Sequence, residues 1–159
     1  MLVIGFLVAF YSGLPGLWIA KVMVKRNVRF FYAVKNFELT KNLTVYKFLR
    51  IDFFVYCIKN TFFRHFNTKI RMTKRPNLNE VDELRNELTI SEICHVFGFV
   101  FVVIFQIVVL ITSSLYDLLL FSSIFNIVFN LYPVLLQERN KLRLINFSNS
   151  FVRRSDRLK

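Results

Sequence analysis

The sequence has little of what most catalytic folds are built from. Its 159 residues include four glycines, three prolines, two cysteines, two histidines and one tryptophan. Gly5, Gly13, Gly16 and Gly98 make no phosphate-binding loop and no nucleophile elbow. Cys57 and Cys94 stand in no metal-type spacing. His65 and His95 are followed five positions later by Ile70 and Val100, so neither opens a His-x4-Asp acyltransferase box. A dinuclear carboxylate bundle would need several acids inside its helices, and the apolar runs lack them. No metal and no resident cofactor is expected.

Charge is missing from long stretches. Residues 1–20, 93–116 (with His95 neutral) and 118–137 carry none, in runs of 20, 24 and 20. A helix rises about 1.5 Å per residue and the hydrocarbon core is about 30 Å thick, so each run can cross it. A soluble core helix rarely keeps charge off every face for that length. The expected fold is an all-α integral membrane protein with spans near 2–20, 93–115 and 118–137. The first run has no Lys or Arg ahead of it and no small-x-small site before Lys21. It therefore reads as a retained anchor and not a signal peptide. Pro15 and Gly16 should interrupt it.

The net charge of +12 is confined to what remains. Fifteen Lys and Arg lie between Lys21 and Arg85, seven between Arg139 and Lys159, and none in the 112–117 turn. By the positive-inside rule, the N-terminus and that turn face outward. Residues 21–92 and the tail 138–159 face the cytoplasm, which makes a multi-pass protein of the cell membrane. Basic residues beside spans attract anionic headgroups, and no nucleic-acid-binding signature offers another use for them. Both cysteines would then sit at the cytoplasmic side, where disulfides are rare.

The segment 44–66 mixes aromatics with Lys47, Arg50, Lys59 and Arg64. It suits an amphipathic helix in the interface, or one packed on the spans. Pro76 marks a turn over 73–79. Asn79 can cap a short helix over 80–87, and Thr89-Ile-Ser-Glu92 has the form of a capping box opening the second span. The third helix should run past Gln137 into the cytoplasm.

At 100° per residue, Ser91, Glu92, Gln106 and Ser113 fall within about 60° of His95 on the second span. On the third, Ser122, Asn130, Gln137 and Asn140 fall within about 40° of Asn126. Phe121, Ile124, Phe125, Val128 and Leu131 lie opposite and suit lipid. Unsatisfied amides are costly in hydrocarbon, so the polar stripes of two antiparallel neighbours should face each other. Interhelical hydrogen bonds account for Asn126, Gln106 and Ser113.

Glu92 and His95 form Glu-x-x-His on one helical face. A carboxylate there can orient an imidazole that takes a proton from a hydroxyl. The same pair serves equally as a cap and a packing histidine. Gln137, Asn140, Lys141 and Arg143 collect at the same level.

Leu88-Thr-Ile-Ser-Glu-Ile-Cys-His95-Val-Phe-Gly98 and Asn130-Leu-Tyr-Pro-Val-Leu-Leu-Gln137-Glu-Arg-Asn140-Lys-Leu-Arg143-Leu144 resemble the glycosyl-4,4′-diaponeurosporenoate acyltransferase family. So do Phe37-Glu38 and Tyr46-Lys-Phe-Leu-Arg-Ile51. The likeness covers residues 30–144. Val96 stands where that family usually has an aromatic, and Glu138-Arg139 where it tends to read Arg-Tyr or Gln-Tyr. The resemblance implies a small bacterial membrane enzyme. It would move a fatty acyl group from a donor such as acyl-CoA to a sugar hydroxyl of a glycosylated carotenoid or similar glycolipid, the last step of staphyloxanthin-type pigment synthesis. It casts His95 as general base, with Glu92 orienting it. Gln137, Asn140 and Arg143 would hold the sugar or the donor phosphates, with Asn130 and Glu38 as further binding candidates. The rival is a non-catalytic membrane scaffold or accessory subunit that uses the stripes as helix glue. A small transporter fits less well, because three spans enclose no pore and the stripes hold no midplane charge.

The charge asymmetry predicts the topology. Reporters fused after Ala20 and after Lys159 should read cytoplasmic, and one in the 112–117 turn external. A cytoplasmic reading for that turn would rule out three spans.

Overall fold

The computed structural model describes residues 1–61 and 78–156. Every regular element among them is helical. Three stretches are long and apolar enough to cross a membrane: Leu2–Lys25, Asn79–Thr112 and Tyr116–Ser150. Residues 62–66, with His65, and most of the turn expected over 73–79 lie outside the described residues.

The first stretch is α1 (Leu2–Tyr11) and α2 (Gly13–Lys25), broken at Ser12. The interruption expected at Pro15 and Gly16 falls a turn earlier, because proline acts on what precedes it. Pro15 offers no N–H to the Tyr11 carbonyl. The Ser12 hydroxyl turns back to donate to the Ala9 carbonyl at 2.8 Å.

Three short helices follow, α3 (Arg29–Asn36), α4 (Leu43–Phe48) and α5 (Ile51–Asn60). Phe31 of α3 is buried with Ala20 and Ile93. Tyr46 and Ile51 are buried against Leu136 and Leu142. One face of this segment therefore packs on the spanning helices, while Phe48, Phe53 and Tyr56 remain exposed.

Then comes one helix, α6 (Leu78–Thr112), of 35 residues. At 1.5 Å per residue it is about 53 Å long, well beyond the hydrocarbon thickness. The expected restart at Thr89–Glu92 is absent. Thr89 donates to the Arg85 carbonyl at 2.7 Å inside the helix, and Asn79 lies within the first turn instead of capping it. The helix runs through because its charged end has an apolar face of its own, with Val81 and Leu88 packed on Leu144.

The third stretch is α7 (Tyr116–Asn126), a π-turn (Ile127–Leu131) and α8 (Tyr132–Asp156), so the helix does run on past Gln137. The π-turn has a cause in the sequence. Pro133 cannot donate to the Phe129 carbonyl four residues earlier, and its ring crowds that carbonyl. The ladder opens by one residue, and Tyr132 N–H bonds to the Ile127 carbonyl. One extra residue rotates everything beyond it by about 100°. Glu138 and Lys141 therefore take the directions that a regular helix would give Gln137 and Asn140. The expected stripe is corrected accordingly. Ser122, Asn126 and Asn130 are buried as read, but Glu138 and Lys141 continue the buried face, while Gln137 and Asn140 are half-buried.

Helix contacts rest on the scarce glycines. A Cβ on Gly5 would stand 3.0 Å from the Ser122 nitrogen, and one on Gly16 2.8 Å from the Cys94 carbonyl oxygen. One on Gly98 would stand 2.5 Å from Asn130 Oδ1. Small residues at crossings let backbones approach where lipid supplies no hydrophobic drive between helices. α1 lies against α7 through Phe6, whose ring meets Phe125 and Phe129 edge-on at 5.6 and 5.4 Å. Phe125, which the wheel left to lipid, is thus an interhelical contact, because α1 occupies that side of α7. Leu120, Ile124, Ile127 and Val128 are the exposed ones. Gln106 donates to Ser122 and Ser123, and Asn126 to the Phe99 carbonyl, as interhelical glue. Ser113 instead bonds within its own helix, to the Val109 carbonyl.

Gly16→Ala should force α2 away from α6, since backbone blocks the new methyl. Overpacking of this kind costs about 1–3 kcal/mol. A clear fall in the detergent melting temperature is expected, with none for Leu14→Ala at an exposed position. Equal melting of the two variants would show that the close crossing does not carry stability.

Candidate functional site

The charged end of the bundle is organised around one buried ammonium. Lys141 Nζ lies 2.6 Å from Glu92 Oε2 and 3.4 Å from Glu138 Oε1. It also donates to the carbonyls of Val34 at 2.8 Å and Phe37 at 3.4 Å. Those carbonyls lie at the end of α3, where Val34 also accepts from the Phe37 N–H and the helix dipole favours a cation. Glu138 Oε2 accepts from Leu39 N–H at 3.4 Å. One lysine and one glutamate of α8 thus hold α6 and the chain leaving α3, with half-buried Glu38 between the anchored residues.

Tyr46 of α4 is fully buried and its hydroxyl has no protein partner. Burial, then the charges of Glu138, Glu92 and Glu38, push its phenol up to about 12. It keeps its proton at any physiological pH and stands ready to donate.

Ion pairs surround this cluster. Lys35 meets Asp82 at 2.7 Å, and Arg85 donates to Asn36 Oδ1 at 3.1 Å, tying α3 to α6. Buried Arg139 pairs with exposed Asp52 of α5. That hydrogen bond holds the Asp52 carboxyl below its ordinary range.

His95 sits one turn deeper on α6 than Glu92. Its ring lies beside the Asn130 side chain and the Phe129 backbone. Nδ1 is buried and has no protein partner. An imidazole nitrogen so placed can accept a proton. Asn130 is fixed in turn. Its amide nitrogen donates to Asn126 Oδ1 at 2.8 Å and to Ser12 Oγ at 3.1 Å. Gly98 makes room for it.

Gln137 Nε2 donates to Ser91 Oγ at 3.1 Å, while its buried Oε1 has no protein partner. Ser91 and His95 are i and i+4 on one face, so Gln137 faces the helix surface that carries His95. The α6–α8 seam thus gathers Glu92, His95, Asn130 and Gln137. Glu92 is paired with Lys141, with no bond to His95 among the described contacts. Asn140 is half-buried at the same level, and Arg143 is exposed on the side of Asp52. Among the described residues no group of His, Cys, Asp and Glu is placed to hold a metal ion.

Sequence reading noted Lys141 but not its centrality, and it missed Glu138, Tyr46 and Ser12. Pro133 was the available signal for Lys141 and Glu138, since a proline seventeen residues after the helical run starts at Tyr116 announces a shifted register beyond it.

Lys141→Met should leave two buried carboxylates unpaired. Removing one partner of such a cluster costs about 3–5 kcal/mol, so the variant should accumulate poorly and melt early, while Arg143→Gln should match the parent. Normal accumulation of Lys141→Met would show that the cluster is not a stabilising tie.

No curated protein and no solved structure matches the chain. The family model for glycosyl-4,4′-diaponeurosporenoate acyltransferase matches residues 28–150, which takes in α3 to α7, most of α8 and every residue of the seam. That match covers well over half of the sequence, and the chain belongs to the glycosyl-4,4′-diaponeurosporenoate acyltransferase family.

Proposed function

We propose that this protein is a membrane acyltransferase of carotenoid biosynthesis that acylates a sugar hydroxyl of a glycosylated carotenoid or similar glycolipid at the cytoplasmic face. The observation that carries the reading is the pair of buried, unpartnered acceptors on facing helices, Nδ1 of His95 and Oε1 of Gln137. Buried polar atoms are nearly always bonded, so two orphans at one seam suit hydroxyls that arrive with a substrate.

In this reading the acceptor hydroxyl donates to His95 Nδ1. As the oxygen attacks the donor carbonyl carbon, its proton passes to the imidazole. With a thioester donor such as acyl-CoA, a C–O bond forms, the C–S bond breaks and the thiol leaves with that proton. Asn130, itself fixed by Asn126 and Ser12, lies beside the ring and limits its turning. Glu92 acts through Lys141, fixing the spacing of α6 and α8 beside His95. Gln137 and Asn140 meet the sugar, with Glu38 at its edge. Arg143, exposed and always charged, suits the donor phosphates.

His95→Ala should insert and accumulate normally yet lose about 10²- to 10⁴-fold in rate, read by mass spectrometry of pigment and lipid extracts. Glu92→Gln leaves Lys141 paired with Glu138 and should slow the reaction without loss of protein. The same acylated product from His95→Ala at normal level would leave His95 a packing residue and the scaffold reading in the lead.

A further inference from the structure

The α4–α5 hairpin has one face that the spanning helices cover and one that they leave bare. Its inner residues, Tyr46 and Ile51, pack on Leu136 and Leu142. They flank the point where the uncharged run 118–137 ends, so the hairpin stands where hydrocarbon gives way to headgroups. Its outer face carries Phe48, Phe53 and Tyr56, which are 85%, 65% and 65% exposed. Trp18 is 71% exposed on α2, one turn before Lys21. Aromatic rings gather at that depth in membrane proteins.

Cations lie among the rings. Lys47, Arg50 and Lys59 are all exposed. Asp52 is the one acid of the hairpin; it is exposed, it pairs with Arg139, and it lies near enough to Lys47 to feel its charge. Three cations against that one paired acid leave the hairpin net positive. Arg50 adds an independent sign. It links α4 to α5 at φ 55°, in the left-handed region that a glycine would occupy without strain. A non-glycine residue held there points to a role for its side chain, and this one sets a guanidinium at the hairpin tip between Phe48 and Phe53.

We propose that the outer face of the α4–α5 hairpin is a binding surface for anionic phospholipid headgroups. Phe48, Phe53 and Tyr56 seat in the interfacial layer, and Lys47, Arg50 and Lys59 meet the phosphates. This is a property of the surface facing the bilayer, separate from the α6–α8 seam and independent of the acyl-transfer reading.

The chain has one tryptophan, so Trp18→Phe with Phe48→Trp moves the fluorophore to the hairpin. Both positions are exposed, and Tyr56→Trp in place of Phe48→Trp gives an independent reporter. The protein is reconstituted in phosphatidylcholine vesicles that contain equal fractions of either brominated phosphatidylglycerol or brominated phosphatidylcholine. Quenching should be roughly two- to fivefold stronger with the brominated anionic lipid. The difference should shrink in high salt, where the screening length falls to about 3 Å, and vanish when Lys47, Arg50 and Lys59 are all changed to Gln. Equal quenching by both lipids in the parent would overturn the charge selectivity, and no quenching by either would overturn the seating. Loss of the difference on adding soluble coenzyme A would assign the patch to donor phosphates and also overturn the proposal.

Discussion

A proline that cannot donate a hydrogen bond decides how the third helix meets the others. Pro133 cannot supply the N–H of a regular turn and opens the ladder into a π-turn over Ile127–Leu131. The consequence meets the candidate site: the rotated register brings Glu138 and Lys141 inward, where they join Glu92 and the end of α3. π-turns inside helices are frequent at functional sites, and here the sequence supplies the mechanical reason.

Much of the fold was legible because the bilayer imposes a crude rule. Uncharged runs of about 20 residues must be helical, and charge must stay outside them. Polar residues within the runs were legible too, since hydrocarbon penalises an unsatisfied amide. Gln106 and Asn126 do bond across helices. The local cap signal at Thr89–Glu92 misled, because packing of Val81 and Leu88 on Leu144 carries α6 straight through it. A capping sequence is a weak local preference, and a buried apolar face outweighs it.

The site was legible in part. Glu92, His95 and Gln137 could be placed at one level by helical arithmetic, and the structure puts them on one seam. The arithmetic failed beyond residue 131, since it assumed a constant 100° step. Glu138 and Arg139 looked like simple departures from the family pattern. In the structure Glu138 holds the backbone of Leu39 and Arg139 holds Asp52. Contacts between residues so far apart in the chain leave no periodic trace. Tyr46 is the plainest case, a buried phenol in a segment whose composition left open an interfacial helix or one packed on the spans.

The tie between Lys141 and the end of α3 also has a consequence in time. Val34 and Lys141 are 107 positions apart. At about 5–20 residues per second, the ribosome delivers the lysine roughly 5–20 s after the carbonyl it caps. During that interval the end of α3 lacks its buried cation, and α4 and α5 have no α8 to lie on. The segment of short helices, though made early, is completed only when α8 emerges.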